Sequence, residues 1–446
     1  MKRLITFLLL IALSLMFCVS VFADEDEPPP DPTKPPEAVR CSSALLYCFE
    51  NSKTLYEKNV DDHVYPTSTV KIMTGIVAIE HFTALPDGLS TKITITDQML
   101  ASVVGNKMSP PLQSGETVTA EQMLYACLVG GANDAANVLA YAVSGSVGDF
   151  VTKMNALAGS SAIGVRSTKY TNPTGMHDDA MYTTAHDTAQ IALYAMKNPD
   201  FARIVGTPMY VMEETDKSEY RNIYSRNAMI SKYYTNGYYD SRAIGVNAGA
   251  TAVGGYCTVE IMRDPDTGVK YMAVVMGADE DEETGEVWSY ENAAALLNWG
   301  FACFNYLEVL SADKVVCELP VTLSSTVDYI TLQPARSVMV FLPTNVNVER
   351  DVEVHYTTLY ESLAAPVEAK TAVGTVTVMY NDEILGTVDL ITTADVTRSE
   401  FLYVLAQIED FVKSRFFIAT AIAAVLLSLL YIFGQAFIRG RKANRL

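Results

Sequence analysis

The sequence predicts an α/β unit with helices inserted between its early and late strands, then a small all-β domain, then a membrane-spanning helix. Three observations predict this order. Helix-like and strand-like segments mix from about residue 40 to 305. From Val315 onward helical periodicity gives way to two-residue alternation, as in Val338-Met339-Val340-Phe341 and Thr375-Val376-Thr377-Val378. Finally, an apolar run fills 416–438.

At the start, Met1-Lys2-Arg3 precedes an apolar run to Phe22, and Val21-Phe22-Ala23 ends in an acidic stretch. Cations, an apolar centre and small residues at the exit predict a signal peptide over 1–23, cleaved after Ala23. An uncleaved anchor is the alternative, but the run is short for a span. Phe17 before Cys18 is too bulky for a lipoprotein signal. Residues 24–39 are acidic and proline-rich and read as a solvated spacer.

Residues 40–305 form the predicted α/β unit. Ala44–Phe49 and Thr54–Lys58 read as strands around an Asn51-Ser52 turn. Ser68–Phe82 is apolar almost all round, which predicts a buried helix. Thr119 with Gln122 forms a capping box that opens the next helix. Further helices are expected over Val147–Ala158 and from Thr184 to just before Asn198-Pro199. Tyr256–Arg263 and Lys270–Met276 flank an Asp-Pro-Asp-Thr-Gly turn and predict a hairpin, and Trp288–Phe304 a closing helix.

Residues 312–395 read as the all-β domain, with Asn381-Asp382 as a hairpin turn. A linker helix is expected over 397–414. The run 416–438 is long enough to span a hydrocarbon core at about 1.5 Å per residue. Arg439, Arg441, Lys442 and Arg445 make 439–446 a basic tail, which places the tail in the cytoplasm and the domains outside.

The chain of 446 residues carries a formal net charge of −20, which argues against a nucleic-acid partner. Besides Cys18, six cysteines remain, with no CxxC spacing and no clustering with the five histidines. No metal site and no organic cofactor is expected. Export permits disulfides without requiring them, and the pairing stays open. Cys41 and Cys48 flank one strand and stand too far apart to pair within it.

The chemistry concentrates in Tyr65-Pro66-Thr67-Ser68-Thr69-Val70-Lys71. Ser68 and Lys71, three apart at the start of a buried helix, lie one above the other. A desolvated lysine gives up its proton more readily and can serve as base to the hydroxyl. The helix N-terminus favours negative charge beside Ser68. Ser-x-x-Lys alone is a weak pattern, met by chance as a capping serine and a solvated lysine. The apolar helix around Lys71 argues against the solvated lysine.

This run resembles the nucleophile motif of the penicillin-binding proteins, specifically the low-molecular-mass D-alanyl-D-alanine carboxypeptidases (peptidase S11). Their wider superfamily carries S-x-x-K, S-D-N and K-T-G. Gly130-Gly131-Ala132-Asn133-Asp134 resembles the S-x-N loop, and Ile244-Gly245-Val246-Asn247-Ala248-Gly249-Ala250-Thr251 the K-T-G strand. Thr171-Asn172-Pro173-Thr174-Gly175-Met176-His177-Asp178, Thr184-Ala185-His186-Asp187 and the segment from Ala365-Pro366-Val367 to Asp389-Leu390 extend the likeness over nearly the whole mature chain.

The resemblance implies a serine β-lactamase/transpeptidase-like domain, an antiparallel sheet with helices on both faces, followed by a C-terminal β-sandwich. It implies Ser68 as nucleophile, Lys71 as base, and Asn133 hydrogen-bonded to Lys71 or to substrate. Gly131, Asn247, Ala248, Gly249 and Ala250 would line the substrate, with the N–H groups of Ser68 and Ala250 as the oxyanion hole. The implied partners are the D-Ala-D-Ala end of a peptidoglycan stem peptide, β-lactams as acylating inhibitors, and the membrane.

Two motifs depart from the pattern. Gly131 replaces the serine of S-x-N and removes a relay hydroxyl. Asn247-Ala248-Gly249 replaces K-T-G, removing the cation and hydroxyl expected to hold the substrate carboxylate. Charge-assisted bonds contribute about 1.5–3 kcal/mol each, so the loss is worth ~10²–10⁵ in rate. Arg242 lies an odd number of positions from Asn247 and is expected on the other strand face. His177 and His186 read as structural, because no serine stands in a Gly-x-Ser-x-Gly elbow.

Two functions remain in view: a slow or altered D-Ala-D-Ala carboxypeptidase, and a catalytically degenerate, membrane-anchored homologue that binds peptidoglycan or partner proteins. A secreted β-lactamase is disfavoured by the β domain and anchor.

Overall fold

A computed structural model describes residues 31–101, 103–233 and 237–443. The signal segment expected over 1–23, residues 24–30 of the spacer and the last three residues of the basic tail fall outside the described residues. The chain divides into two units, residues 1–305 with 343–345, and residues 306–342 with 346–446.

The first unit is built on a five-stranded antiparallel sheet. Its early strands are β1 (Ser43–Cys48) and β2 (Lys53–Lys58). Between these and the late strands the chain makes α1 (Val70–Thr83), the small hairpin β3 (Lys92–Thr94) with β4 (Thr117–Thr119), and α2 (Ala120–Leu128). Helices α3 (Asn133–Ser144), α4 (Val147–Ala158), α5 (Ala185–Ala195) and α6 (Pro199–Val205) follow. A second ribbon pairs β5 (Met209–Met212) with β6 (Arg221–Tyr224). Strands β7 (Ala243–Thr251), β8 (Gly255–Arg263) and β9 (Lys270–Ala278) then complete the sheet in the order β2-β1-β9-β8-β7, and α7 (Trp288–Cys303) closes the unit.

Local chemistry fixes most of these ends. Thr119 accepts from the Gln122 N–H at 3.2 Å, and Gln122 accepts from the Thr119 N–H at 2.8 Å, completing the expected capping box. Gly145 ends α3 in the left-handed region. Asn198 caps α6 with Pro199 at its first position. Helix α1 is buried on every face from Val70 to Ile79, as its composition predicts, because α2, α3 and α4 surround it.

A buried ion pair ties β6 to the loop before β4. Arg221 and Glu116, both with side chains at 0% exposure, meet at 2.7 and 3.0 Å. Arg221 also donates to the carbonyls of Pro110 and Pro111, and Glu116 accepts from Thr215 Oγ1 and the Gln113 N–H. Every polar atom of the pair is thereby satisfied by neighbours of opposite sense, the condition under which buried charges are tolerated.

In the second unit, β10 (Phe304–Leu310) pairs with β13 (Val338–Pro343). A six-stranded sheet runs β14 (Glu353–Thr358), β16 (Ala372–Tyr380), β17 (Glu383–Thr392), β12 (Tyr329–Pro334), β11 (Cys317–Thr322), β15 (Leu363–Ala364). Asn381 and Asp382 both take positive φ between paired Tyr380 and Glu383, a two-residue turn matched to strand twist. Strand content begins at Phe304, before the Val315 texture change. Helix α8 (Glu400–Lys413), capped by Ser399, precedes α9 (Arg415–Ala443). Residues Arg415–Ala436 of α9 are long and apolar enough to cross a membrane, by length and composition.

Candidate active site

Residues Thr67–Thr69 form a single 3₁₀ turn leading into α1. Thr67 adopts φ +48°, and a β-branched residue held there costs about 1–2 kcal/mol. The turn is clamped by Thr69, whose N–H and Oγ1 both donate to the Pro66 carbonyl. Backbone strain thus sits directly before Ser68.

Three glycines close on this turn because they carry no side chain. A Cβ at Gly175 would lie 1.9 Å from the Thr67 carbonyl oxygen, and one at Gly254 2.4 Å from Thr67 Cγ2. A Cβ at Gly249 would lie 2.4 Å from Ser68 Oγ and 2.6 Å from Ser68 Cβ. Strand β7 therefore passes against the serine at the third position of the Asn247-Ala248-Gly249 motif. Close approach is the physical reason for glycine here.

Lys71 is 2% exposed, and burial lowers its ammonium from 10.5 to about 8. Its Nζ donates to the Thr174 carbonyl at 2.5 Å. Among the described residues no hydrogen bond joins it to Ser68 Oγ or to Asn133. The Thr174 carbonyl is held by Asn172, whose Oδ1 accepts from the Thr174 N–H, Thr174 Oγ1 and the Gly175 N–H at 2.9–3.1 Å. Asn172 Nδ2 donates to the Met176 carbonyl, and Thr74 Oγ1 on α1 donates to that of Pro173. Asn172 is thus a positioning residue, a role that the sequence reading of the Thr171–Asp178 run does not assign. The Asn-Pro-Thr-Gly turn was its only local signal.

On the other side, Asn133 opens α3 at 4% exposure. Its N–H donates to the Asn106 carbonyl at 2.7 Å and its Nδ2 to the Val104 carbonyl at 2.8 Å. Gly131 takes φ +65°. Asn106 bridges this loop to a cation: its Nδ2 donates to the Gly130 carbonyl, and its Oδ1 accepts from Arg226 Nη2 at 2.8 Å. A Cβ at Gly131 would rest 3.4 Å from Arg226 Cγ. Arg226 is the second residue missed from sequence, since only tertiary folding brings it to Gly131.

Asn247 and Gly249 are two apart on β7, so they share the face turned to Ser68. Asn247 is 4% exposed and its Oδ1 has no hydrogen-bond partner. Ala248 is buried on the opposite face and Ala250 exposed at the strand end. Arg242 is occupied elsewhere, paired with Asp240 at 2.6 Å and donating to Asn298 at 2.6 Å. His177 bonds Asp179 and packs edge-on against Tyr65, and His186 lies 3.6 Å from Asp61. The six described cysteines are free, and no group of metal-ligating side chains occurs among the described residues.

A strained serine turn, a buried lysine one helical turn away and a glycine strand edge thus come together at one place in the first unit. The family profile for D-alanyl-D-alanine carboxypeptidase matches residues 30–280, and that for the penicillin-binding protein 5 C-terminal domain residues 304–398. The chain belongs to the D-alanyl-D-alanine carboxypeptidase family.

It is 26% identical over 406 residues to the D-alanyl-D-alanine carboxypeptidase DacF of Bacillus subtilis, covering 90% of this chain and 96% of that one. It is 34% identical over 215 residues to a D-alanyl-D-alanine carboxypeptidase of Streptomyces sp. K15, covering 46% and 70%. Among solved structures, the Streptomyces K15 DD-transpeptidase aligns with TM-score 0.52 at 27% identity, over 60% of this chain and 99% of that one. Penicillin-binding protein 5 of Haemophilus influenzae aligns with TM-score 0.56 at 22% identity, over 82% and 100%, and shares the fold.

Proposed function

We propose that this chain is a slow serine-type D-Ala-D-Ala carboxypeptidase that removes the terminal D-Ala of peptidoglycan stem peptides through an acyl-enzyme on Ser68. The observation that carries the reading is Lys71, buried and lowered to about 8, one turn from a serine that β7 approaches through a bare glycine.

In this reading neutral Lys71 takes the Ser68 proton as Oγ attacks the penultimate peptide carbonyl. The oxyanion is met by the N–H groups of Ser68 and Ala250. The C–N bond breaks, D-Ala leaves with a proton returned through Lys71, and water then releases the shortened peptide. The Lys71–Thr174 bond must give way as the amine turns to Ser68, which adds to the barrier. Arg226, lying against Gly131, supplies the positive charge for the substrate carboxylate that Asn247 and Ala248 lack. β-Lactams would acylate the same oxygen. Helix α9 would hold the chain in the membrane, with the two units outside and the basic tail inside.

A second reading is supported by the unpartnered Asn247 Oδ1, Gly131 and the Lys71–Thr174 bond: a degenerate homologue that binds stem peptides without cleaving them.

The test is incubation of the full chain with a fluorescent penicillin and with a D-Ala-D-Ala pentapeptide. Covalent label abolished by Ser68→Ala, with D-Ala release, is the expected result. Peptide binding with neither acylation nor release leaves the second reading.

A further inference from the structure

A sizeable hollow of the first unit lies away from Ser68. It has a volume of about 520 Å³ and opens where β7 begins. Its walls are Tyr47 and Phe49 from β1 and the following turn, Ile163, Leu193 from α5, Ile244 from β7 and Ile261 from β8. Ile244 stands five residues before Gly249, so the cavity lies about 16 Å along the strand from the serine, at about 3.3 Å per residue. Its volume falls in the range of pockets that enclose one compact small molecule, roughly 300–1,000 Å³.

The charged residues at this cavity set its chemistry. Lys197 and Lys270 both line it, with the carboxamide of Gln190 and the hydroxyl of Ser52, and no aspartate or glutamate does. Neither ammonium enters an ion pair among the described residues. In a chain with 52 acidic and 32 basic side chains, a cavity lining with two lysines and no carboxylate is a local inversion of charge; the carboxylates adjoining the lining are Glu50, which accepts from the Lys270 N–H at 3.3 Å, and Glu80, which is bonded by Tyr194. Lys270 is also held in place. Its carbonyl accepts from the Phe49 N–H at 3.1 Å, and its Nζ sits 5.0 Å from the centroid of the Phe49 ring. The Tyr194 hydroxyl is turned away, donating to Glu80.

We propose that this cavity is a second binding site, separate from Ser68, for a free organic acid: an apolar, single-bodied molecule carrying one carboxylate. The apolar body fills the space between β1, α5 and β7, and the carboxylate is received by Lys270 and Lys197, with Gln190 as a further donor. The inference does not depend on whether Ser68 is acylated.

Photolabelling tests it. The full chain in phosphatidylcholine nanodiscs is irradiated with 4-benzoylbenzoate, and in parallel with neutral 4-methylbenzophenone, and adducts are mapped by mass spectrometry. The expected result is carboxylate-dependent adducts on the Ile163 and Leu193–Met196 peptides. The double variant Lys197→Gln, Lys270→Gln should reduce them roughly fivefold to tenfold, as expected for losing two solvent-facing ionic contacts, while the neutral probe is unaffected. Both lysines are at the cavity rim, so the variant should fold, and unchanged circular dichroism checks this. Equal labelling by the two probes, wild-type labelling of the folded double variant, or adducts lying outside these peptides would overturn the proposal.

Discussion

Replacing Lys71 by methionine isolates the property on which the proposed acyl transfer rests. The side chain is 2% exposed, and its fall from 10.5 to about 8 corresponds to roughly 3 kcal/mol at 1.36 kcal/mol per pH unit. The sign follows from proton counting. Between pH 8 and 10.5 the unfolded chain still holds the lysine proton while the folded chain has released it, so wild-type stability rises with pH across that window. Below pH 8 the folded state carries the full cost of a buried ammonium. A methionine side chain cannot titrate, so the difference between wild type and Lys71→Met should move by roughly 3 kcal/mol in favour of wild type from pH 7 to 10.5. Titrations of groups not coupled to Lys71 cancel in the difference; the Cys127 thiol, which the Lys71 charge lowers against its burial, is the one coupled neighbour. Trp288 and Trp299 are the chain's two tryptophans, and both lie on α7 in the first unit. Urea unfolding followed by their fluorescence therefore reports that unit. A difference that stays flat with pH would mean that Lys71 keeps an ordinary ammonium, and the base assignment would go with it. The matching kinetic expectation is an acylation rate that climbs with pH to about 8 and then levels.

Three further perturbations probe the surroundings. Gly249→Ala places a Cβ 2.6 Å from Ser68 Cβ, so β7 must shift; penicillin labelling should fall more than about tenfold, and stability by about 1–3 kcal/mol. Glu116→Ala leaves the Arg221 charge buried and unpaired, and should lower the urea-derived stability of the first unit by about 3–5 kcal/mol; a loss under about 1 kcal/mol would show that the pair is hydrated. Asn247→Lys with Ala248→Thr restores a cation on the face of β7 turned to Ser68 and the hydroxyl of the family motif. It should raise the acylation rate by roughly 10–10², the equivalent of one charge-assisted bond, and no gain would point to the serine–lysine geometry as the limit.

What the sequence made legible follows from how local each signal is. The buried α1, the Thr119–Gln122 capping box, the whole of α4 and the β8–β9 hairpin depend on residues within a few positions of one another, and the sequence reading anticipates each. Helices α3 and α6 and the β5–β6 ribbon were not anticipated. The start of α3 is the Asn133 loop itself, and no side-chain cap marks where the helix begins. The ribbon gains its place from the Arg221–Glu116 pair, whose members are 105 positions apart. The site divides in the same way. Ser68, Lys71, Asn133 and Gly249 are readable from motif spacing, whereas the Thr174 carbonyl that holds Lys71 is 103 positions away. The approach of Arg226 to Gly131 is equally invisible without tertiary structure.

Gly131 is more than a serine with its hydroxyl removed. At φ +65° the backbone is in the region that any L side chain enters at a cost of about 1–2 kcal/mol. There is room for a Cβ, since Arg226 Cγ would be in ordinary contact at 3.4 Å. The obstacle is therefore conformational. Asn106 holds that conformation from both sides, donating to the Gly130 carbonyl and accepting from Arg226. Restoring the three altered positions should accordingly be far from additive. Adding Gly131→Ser to the Asn247→Lys, Ala248→Thr chain should destabilise it by about 1–2 kcal/mol and raise acylation by less than about tenfold further. The strained loop will not present the hydroxyl until the Asn106 bridge opens. A Gly131→Ser step that costs no stability and brings a hundredfold gain would mean that the loop adapts freely, and that only missing side-chain groups slow this site.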